Sequence, residues 1–308
     1  MVADARTLSD VITELLSHPL EEFRIVGARI EQEAKKALPT LLAHARPNSF
    51  QEEVLRTTAR AAVEFGASQR IRGPGSPRVE LLAFDPELDA KLLASLWFEA
   101  SDQPFTALLE RSRRMTEAER ERSMRRVLDA RGDRDPLPLA IEGAQPFDFE
   151  LLVDFGAYRD IGRHRKGFQQ QQRLTTAHGY VVPPLIEAAG ATERFRAVLD
   201  AVAELQPVVA AEHPHAAGYV TPFAFLQRVR IVFEPRQCAY FIELRSGPEG
   251  HFAYRQAALD MLSRIESVSP LFASFIRAQR GGAFLGRMAG EQGADDRRRQ
   301  RMERAGDA

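Results

Sequence analysis

An apolar segment that leads directly into a cluster of cations is the feature that most limits how this chain can fold. Residues 147–157 read FDFELLVDFGA, and Tyr158 to Thr176 then hold four arginines, a lysine, a histidine and four consecutive glutamines. The apolar part is expected in the core, as a strand or a helix, and a solvated run of charge does not normally start from a core segment. The cations are therefore expected to face a partner rather than water alone.

Composition excludes several classes of protein. The chain has 308 residues, of which 44% are apolar and 28% charged, and its net charge is −1. This is an ordinary globular composition, and it gives no reason to expect a long-range attraction to nucleic acid. No apolar run approaches the length of a bilayer span, and the N-terminus lacks the apolar region of a signal peptide, so no membrane partner is expected. Cys238 is the single cysteine, which excludes an intrachain disulfide and makes a cytoplasmic location the expectation.

The first part of the chain is predicted to be helical. Apolar residues recur at spacings of three and four within residues 8–46, and residues 50–68 show a second amphipathic pattern. Residues 71–78, IRGPGSPR, are rich in glycine and proline and predict a linker. The sequence VELLAF then predicts a strand, and it is followed by a helix for which Asp85 is the expected N-cap and Pro86 the first helical residue.

The remainder of the chain alternates helices with strands. Helices are predicted over residues 106–129 and over ATERFRAVLDAVAELQPVVAA, EPRQCAYFIELRSG and FAYRQAALDMLSRIESVSPLFASFI, and a strand over VTPFAFLQRVRIVF. This order predicts an α/β (α+β) fold. The chain from Arg280 on has few apolar residues and is predicted to be disordered. The predicted division is a helical N-terminal extension at 1–70, the linker at 71–78, a main domain at 79–279 and a tail at 280–308.

Two interpretations of the cation cluster stay open. Arg159, Arg163, His164 and Arg165 lie in one segment, and arginine suits bidentate binding of phosphate and stacking on planar rings. For any single arginine, pairing with a nearby carboxylate at a helix surface is the more common arrangement. For Arg163, His164 and Arg165 together an anionic ligand is favoured, because unpaired buried charges are unfavourable.

The neighbouring polar residues allow similar alternatives. Gln169–Gln172 form either a polar loop or a set of amides that hydrogen-bond a nucleobase or a flavin ring edge. His164 lies between two arginines, and like charge should favour its neutral form. A metal site is not assigned, since His213 and His215 are the one close pair of candidate ligands and lie in a predicted loop. Cys238 is predicted to be a small core residue and no serine nucleophile motif occurs, so no catalytic side chain is assigned.

Taken together, these segments resemble the flavin-dependent thymidylate synthase family. RHRKGFQQQQRLT resembles the family signature of RHR followed by SxRY, and Arg159 stands where the family has a lead-in arginine. EPRQCAYFIELR resembles the family helix that carries NxR and then LR, with the same spacing between Arg236 and Arg245. VELLAFDPELDAKLLASLWF is similar to the family's first strand and helix. The resemblance covers about residues 79–277.

The resemblance implies a fold, a reaction and an assembly. The fold is a mixed sheet with long flanking helices, and the protein is a homotetramer with active sites at subunit interfaces. FAD carries the chemistry: it takes hydride from NADPH while a one-carbon unit passes from methylenetetrahydrofolate to C5 of dUMP or a related pyrimidine nucleotide. By position, the residues that contact flavin in the family correspond to Arg163, His164, Arg165 and Arg236. The nucleotide-binding residues are matched by Arg159, Arg163, Arg173 and Arg245.

Several family residues are absent from this chain. In this chain, Gln172 stands where the family has the serine of SxRY, and Glu234 stands where it has the asparagine of NxR. Asp160 replaces a glutamine that precedes RHR in the family, and Gly218 replaces a phosphate-binding arginine. Most of these losses fall on the nucleotide side, so the sequence supports flavin binding better than deoxyuridylate binding. Two alternatives to the enzyme therefore stay open: a non-catalytic paralogue that binds flavin or nucleotide, and a structural oligomer whose arginines only form salt bridges.

Overall fold

The computed structural model describes residues 4–66, 78–133, 135–281, 291–299 and 302, and these fall into two compact units. The smaller unit comprises the described residues up to 66 together with residues 200–221, and the larger unit comprises the others. Contacts thus group residues 200–221 with the N-terminal helices, whereas the sequence-based division placed them in the main domain. The predicted linker at 71–78 lies outside the described residues except for Arg78, which begins a strand.

The smaller unit begins with helices α1 (Ala5–Leu16), α2 (Glu21–Ala37) and α3 (Ser49–Glu64). The segment 8–46 is therefore two helices rather than one, since Pro19 lies between them and a proline ring does not continue a helix. The buried apolar core of these helices is small and centres on Ile12, Leu42 and Ala45. Helix α3 confirms the second amphipathic pattern.

The larger unit holds the described strands and most of the remaining helices. The strands are β1 (Arg78–Ala83), β2 (Phe147–Asp154), β3 (Phe168–Gln171) and β4 (Leu226–Phe233). The helices are α4 (Leu88–Phe98), α5 (Phe105–Arg114), α6 (Glu117–Leu128), α7 (Phe155–Ile161), α8 (Pro184–Ala188), α9 (Thr192–Glu212), α10 (Pro235–Arg245), α11 (Phe252–Val268) and α12 (Pro270–Ala273). Helix α9 runs across the division between the units, and 3₁₀ turns occur at Leu139–Glu142 and Ala217–Val220.

The described strands form one antiparallel sheet in the order β1-β2-β4-β3. Phe149 on β2 and Gln169 on β3 both lie opposite Ile231 of the central strand β4. The expectation of a mixed sheet is wrong, because every pair of neighbouring described strands is antiparallel. An antiparallel sheet tolerates a solvated second face, whereas parallel strands are usually buried on both faces.

The two faces of the sheet differ in chemistry. On one face, Phe147, Phe149, Leu151, Val229, Ile231 and Phe233 are buried. On the other face, Arg228 pairs with Glu150, and Arg230 pairs with Asp148 at 3.0 Å. Both arginines of the predicted β4 strand thus have carboxylate partners within the sheet. The apolar face packs against helices α10 and α11, and residues of α4 belong to the same buried core.

The structure shortens several predicted helices, and each break has a local cause. Helix α4 starts at Leu88, and its N-cap is Glu87 rather than the predicted Asp85. The buried carboxylate of Asp85 accepts from the Glu87 and Gln145 amides and pairs with Lys91 at 2.8 Å. The segment 106–129 is split by a capping box that starts helix α6.

The long C-terminal helix also ends earlier than predicted. Helix α11 stops at Val268, and Pro270 opens the short helix α12, with the Ser269 hydroxyl accepting from the Phe272 amide. Residues 291–299 are helical, while most of the rest of the predicted tail at 280–308 lies outside the described residues. Within the described part of the chain, no helix combines the length and apolarity that crossing a membrane requires.

Candidate functional site

The cations follow β2 closely because a short helix, α7, begins directly at the end of that strand. The Asp154 carboxylate accepts from the Ala157 amide at 2.8 Å and so caps α7, the helix that leads to the cations. Burial raises the pKa of the Asp154 carboxyl above its usual range. Gly162 ends the helix, and Arg163–Arg165, named here the RHR turn, lie between α7 and β3.

Gly167 fixes how the RHR turn enters the sheet. Its φ of +103° favours glycine, and a Cβ there would lie 2.6 Å from both the Val232 carbonyl oxygen and the Phe233 ring. The chain therefore passes close to β4 before β3 begins. This close passage positions the RHR turn at one end of β3.

Three exposed arginines flank β3. Arg163 has a side chain that is 72% exposed, and its Nε lies 3.3 Å from the Asp160 carboxylate. Arg165 and Arg173 are exposed, and their side chains donate to no side chain or carbonyl among the described residues. Strand β3, which has four residues and a length of about 13 Å, lies between these two residues. The structure thus leaves these cations available for an anion but places Arg173 at the opposite end of β3 from the RHR turn.

His164 is the buried member of the RHR turn, with 7% of its surface exposed. Its Nε2 accepts from Arg245 Nε at 2.8 Å, and its ring packs edge-on against Phe241. Burial, and then the positive charge of Arg245, lowers the pKa of His164 to about 4. The neutral form is therefore favoured as expected, but burial and Arg245 cause this rather than the flanking arginines.

Arg245 is held by three contacts. Besides the bond to His164, its Nη2 donates to the Asp160 carbonyl at 2.7 Å, and its guanidinium lies over the Tyr254 ring at 5.3 Å. Arg159 lies 4.8 Å from the centre of the Phe223 ring. Arg245 and Arg159, two of the four arginines in the predicted nucleotide set, are thus in contact with protein groups, and Arg159 is exposed as well.

Arg236 lies in a different environment from Arg245. The two are nine residues apart on α10, which is two and a half turns, so they project from opposite sides. Arg236 donates through Nε to the Leu137 carbonyl at 2.6 Å and through Nη1 to Glu142 at 3.1 Å. The structure therefore does not bring the two motif arginines of this helix to one site within the chain.

Glu142 is a residue that sequence reasoning missed. Its carboxylate pairs with both Lys166 and Arg236. The pKa of Glu142 lies below its usual range. The hydrogen bond from Lys166 is the main cause, and the hydrogen bond from Arg236 lowers the pKa further. No sequence signal links Glu142 to Arg236, because they lie 94 residues apart.

The glutamines serve the local structure. The Gln169 amide donates to the His164 carbonyl at 2.5 Å, and Gln172 contacts His178 Nε2 at 3.2 Å. Gln227, read from the sequence only as a polar interruption, donates to Gln171 and to the Gln172 carbonyl. These bonds fix β3 against β4, so the amides order the segment between the RHR turn and Arg173.

Two further possibilities were a reactive cysteine and a metal site. Cys238 is fully buried, and burial raises the pKa of its thiol. Across the described ranges, no three His, Cys, Asp or Glu side chains come together in a way that would hold a metal ion. Cys238 is thus a core residue, as the sequence predicted.

The RHR turn meets the first requirement of a flavin dinucleotide, which is cationic donors for its phosphates. Among the described residues, Arg165 is exposed and its side chain is unpaired, and Arg163, which is itself largely solvated, pairs with Asp160 alone. Arg236 would have to exchange its bond to Glu142 before binding a phosphate. The fit is therefore good at Arg163 and Arg165 and requires rearrangement at Arg236.

These observations define an α+β protein whose antiparallel sheet carries exposed arginines at the ends of one edge strand, suited to an anionic ligand. The family model described as thymidylate synthase complementing protein matches residues 85–271. Since this match covers more than half of the chain, the chain belongs to that family, and the resemblance found in the sequence is confirmed. The family places it among thymidylate synthase-related proteins.

Three relatives share this similarity. A UPF0159 protein of Chlamydia muridarum is 29% identical over 284 residues, which are 89% of this chain and 53% of the relative. A UPF0159 protein of Chlamydia pneumoniae is 28% identical over 281 residues, with coverage of 89% and 53%. One of Thermoplasma acidophilum is 26% identical over 298 residues, with coverage of 94% and 58%. The chain thus spans about half the length of the curated relatives it matches.

Proposed function

We propose that this chain is a flavin-dependent thymidylate synthase-like enzyme that binds FAD at the RHR turn and a pyrimidine nucleotide beside it. Bound FAD supplies hydride chemistry, with NADPH and methylenetetrahydrofolate as co-substrates for transfer of a one-carbon unit to C5 of dUMP or a related nucleotide. The observation that carries the proposal is the RHR turn itself, which leaves Arg165 unpaired among described residues while His164 is buried and orients Arg245. The proposal includes a homo-oligomer, with the tetramer of the family as the expected state, and a cytoplasmic location.

In this proposal each residue has a physical role. Arg163 and Arg165 bind flavin phosphates through charge-assisted hydrogen bonds. His164 stays neutral and accepts from Arg245, which keeps that guanidinium oriented for the nucleotide. Arg173 offers a second cation for the nucleotide phosphate. The binding and orientation of the reactants are thus the work of the chain, and no side chain is assigned a covalent step.

A second candidate is a flavin-binding paralogue without methylation activity. The observation in its favour is that Arg245 already contacts His164 and Asp160, while Gly218 and Gln172 replace two family residues that hold the nucleotide phosphate. If nothing compensates for these two missing contacts, each loss costs about 1.5–3 kcal/mol, and together they weaken nucleotide binding by roughly two to four orders of magnitude.

Flavin binding is tested first, by titrating FAD into the apoprotein. Arg165→Ala is expected to weaken FAD binding by about ten- to a hundredfold, because one charge-assisted contact is lost. Arg236→Ala is expected to weaken it as well. Arg255→Ala is the control, since among the residues that the structure describes that side chain donates to the Ser246 and Gly281 carbonyls and lies outside the RHR turn. Equal FAD affinity in all three variants would rule out the assignment.

Activity is tested separately, by tritium release from 5-labelled deoxyuridylate in the presence of methylenetetrahydrofolate and NADPH. Tight FAD binding with weak or absent release is expected from the missing nucleotide contacts. Turnover at micromolar nucleotide would show that other residues replace those contacts and would exclude the paralogue. Absence of bound flavin under all conditions would exclude both candidates and leave the structural oligomer.

A further inference from the structure

Helix α3 carries a largely apolar stripe that the described part of the smaller unit does not cover. The stripe consists of Phe50, Val54, Thr57, Ala61 and Phe65, whose spacings of three and four place them on one side of the helix. Phe50 is 73% exposed and Phe65 is 80% exposed. Among the described residues, the buried core of the smaller unit takes no side chain from α3. Two phenylalanine rings at the ends of one stripe therefore remain open to a partner.

Local interactions alone do not account for this helix. The Asn48 side chain caps it by accepting from the Phe50 and Gln51 amides, and Arg56 pairs with Glu53 at 2.5 Å. Both members of this ion pair are about half exposed, so the pair contributes little. A helix of 16 residues is marginal in water unless its apolar face packs against another element. The stripe is therefore expected to be covered in the assembled protein.

The charges beside the stripe favour one kind of partner. Glu53 and Arg60 lie along the same flank of α3 and are seven residues apart, which is about two turns. The Arg60 side chain donates to no described residue. A second copy of α3 in antiparallel orientation places Glu53 beside Arg60 of the second copy and, by symmetry, Arg60 beside Glu53. A parallel copy would place like charges together, and charges on such a flank set the orientation of paired helices.

We propose that α3 binds α3 of a second copy of this chain as an antiparallel pair centred near Thr57. This arrangement sets Phe50 beside Phe65 of the second copy and Val54 beside Ala61, so that the stripe is complementary to itself. An interface in which each patch meets its own copy is the usual basis of a twofold dimer.

The size of the stripe predicts a weak dimer. Burial of the four phenylalanine rings removes about 600–1,000 Å² from water, which is at the low end for a specific interface. A micromolar dissociation constant is therefore expected. The contact goes beyond the proposed function, because α3 lies outside residues 85–271, which carry the family match and the RHR turn.

Disulfide trapping in the full chain tests the pairing directly. Thr57→Cys puts a thiol near the twofold axis, whereas Ala59→Cys, also exposed, puts one on the opposite side of α3. Under mild oxidation Thr57→Cys is expected to form a covalent dimer at least about tenfold faster, because a disulfide needs Cα atoms within about 7 Å. The native chain supplies the background, since its single cysteine, Cys238, is buried. Equal rates for the two variants would overturn the proposal.

Charge exchange tests the orientation. In sedimentation experiments Glu53→Arg is expected to weaken self-association severalfold, because Arg60 of the second copy then faces a like charge. The double variant Glu53→Arg with Arg60→Glu is expected to restore it. A double variant that associates no better than Glu53→Arg would exclude the antiparallel pair. FAD titration of the same variants reports on the RHR turn separately, so failure of this contact and failure of the proposed function are distinguishable.

Amide hydrogen exchange distinguishes a second copy from a cover supplied by the same chain. Exchange within residues 49–64 is expected to slow as the protein concentration rises from about 1 to about 100 μM, since only a paired α3 is protected. Protection that is already complete at the lowest concentration and does not change would show that a segment of the same chain covers the stripe. Fast exchange at every concentration would show that nothing covers it. Either result would overturn the proposal.

Discussion

Burial of His164 is predicted to make the stability of this protein sensitive to mild acid. The pKa of this imidazole is lowered from 6.5 to about 4 in the folded chain, by burial first and then by Arg245. Below about pH 6.5 the unfolded chain therefore binds a proton that the folded chain does not. The stabilisation is present above that pH and is lost as the pH falls towards 4.

The magnitude follows from the two pKa values. Each unit of difference corresponds to about 1.4 kcal/mol, and the effect of this one group between about pH 7 and about pH 5 is about 2 kcal/mol of unfolding free energy. No discount for solvent screening is needed, because His164 is only 7% exposed. This is a large fraction of the stability of a typical domain.

The assay is urea unfolding at a series of pH values, compared between the native chain and His164→Gln. A glutamine oxygen can take the place of Nε2 as acceptor for Arg245 but does not titrate in this range. The partly buried carboxyls Asp154 and Asp89, whose pKa values are raised by desolvation, titrate in both proteins, and their effect cancels in the difference. Between about pH 7 and about pH 5, the unfolding free energy of the native chain is expected to fall by about 2 kcal/mol more than that of the variant. Parallel pH profiles, or an NMR titration of His164 near its ordinary pKa, would refute the reasoning.

Three further predictions concern stability and reactivity. Glu243→Ala leaves Arg131 buried without its carboxylate and is expected to lower the unfolding free energy by about 3 kcal/mol in urea titrations, because an uncompensated buried charge is unfavourable. Cys238 is expected to resist Ellman's reagent in the folded protein and to react at once in denaturant, since burial suppresses its thiolate. Removal of residues 281–308 is expected to leave the melting temperature unchanged, because their composition offers little apolar surface to bury.

Each of these has a simple control. Glu99→Ala, at an exposed position, is expected to change stability little, and an equal loss in both variants would contradict the buried-pair argument. Fast reaction of Cys238 under native conditions would show that the core around α10 opens readily. A fall of several degrees in melting temperature after truncation, or a change in oligomeric state, would show that the tail is docked.

Family motifs and local periodicity were accessible from the sequence because they depend on neighbouring residues. The amphipathic patterns located α3 and α9, Pro235 and Gly247 marked the ends of α10, and the apolar segments located β1 and β4. Breaks within helices were missed where a single proline or capping residue ends one helix and starts another, as at Pro19 and Pro270. Such breaks are decided by local hydrogen bonds that a periodicity pattern does not show.

The sequence by itself determined the family, the core character of residues 147–157 and Cys238, and the cluster of cations at Arg163–Arg165. The partners of those cations were decided only by the tertiary structure. Arg245 meets His164 across 81 residues and Arg236 meets Glu142 across 94. Ion pairs and buried hydrogen bonds of this kind form between segments that only the folded chain brings together, and an arginine looks the same in sequence whether its partner is a ligand or a carboxylate.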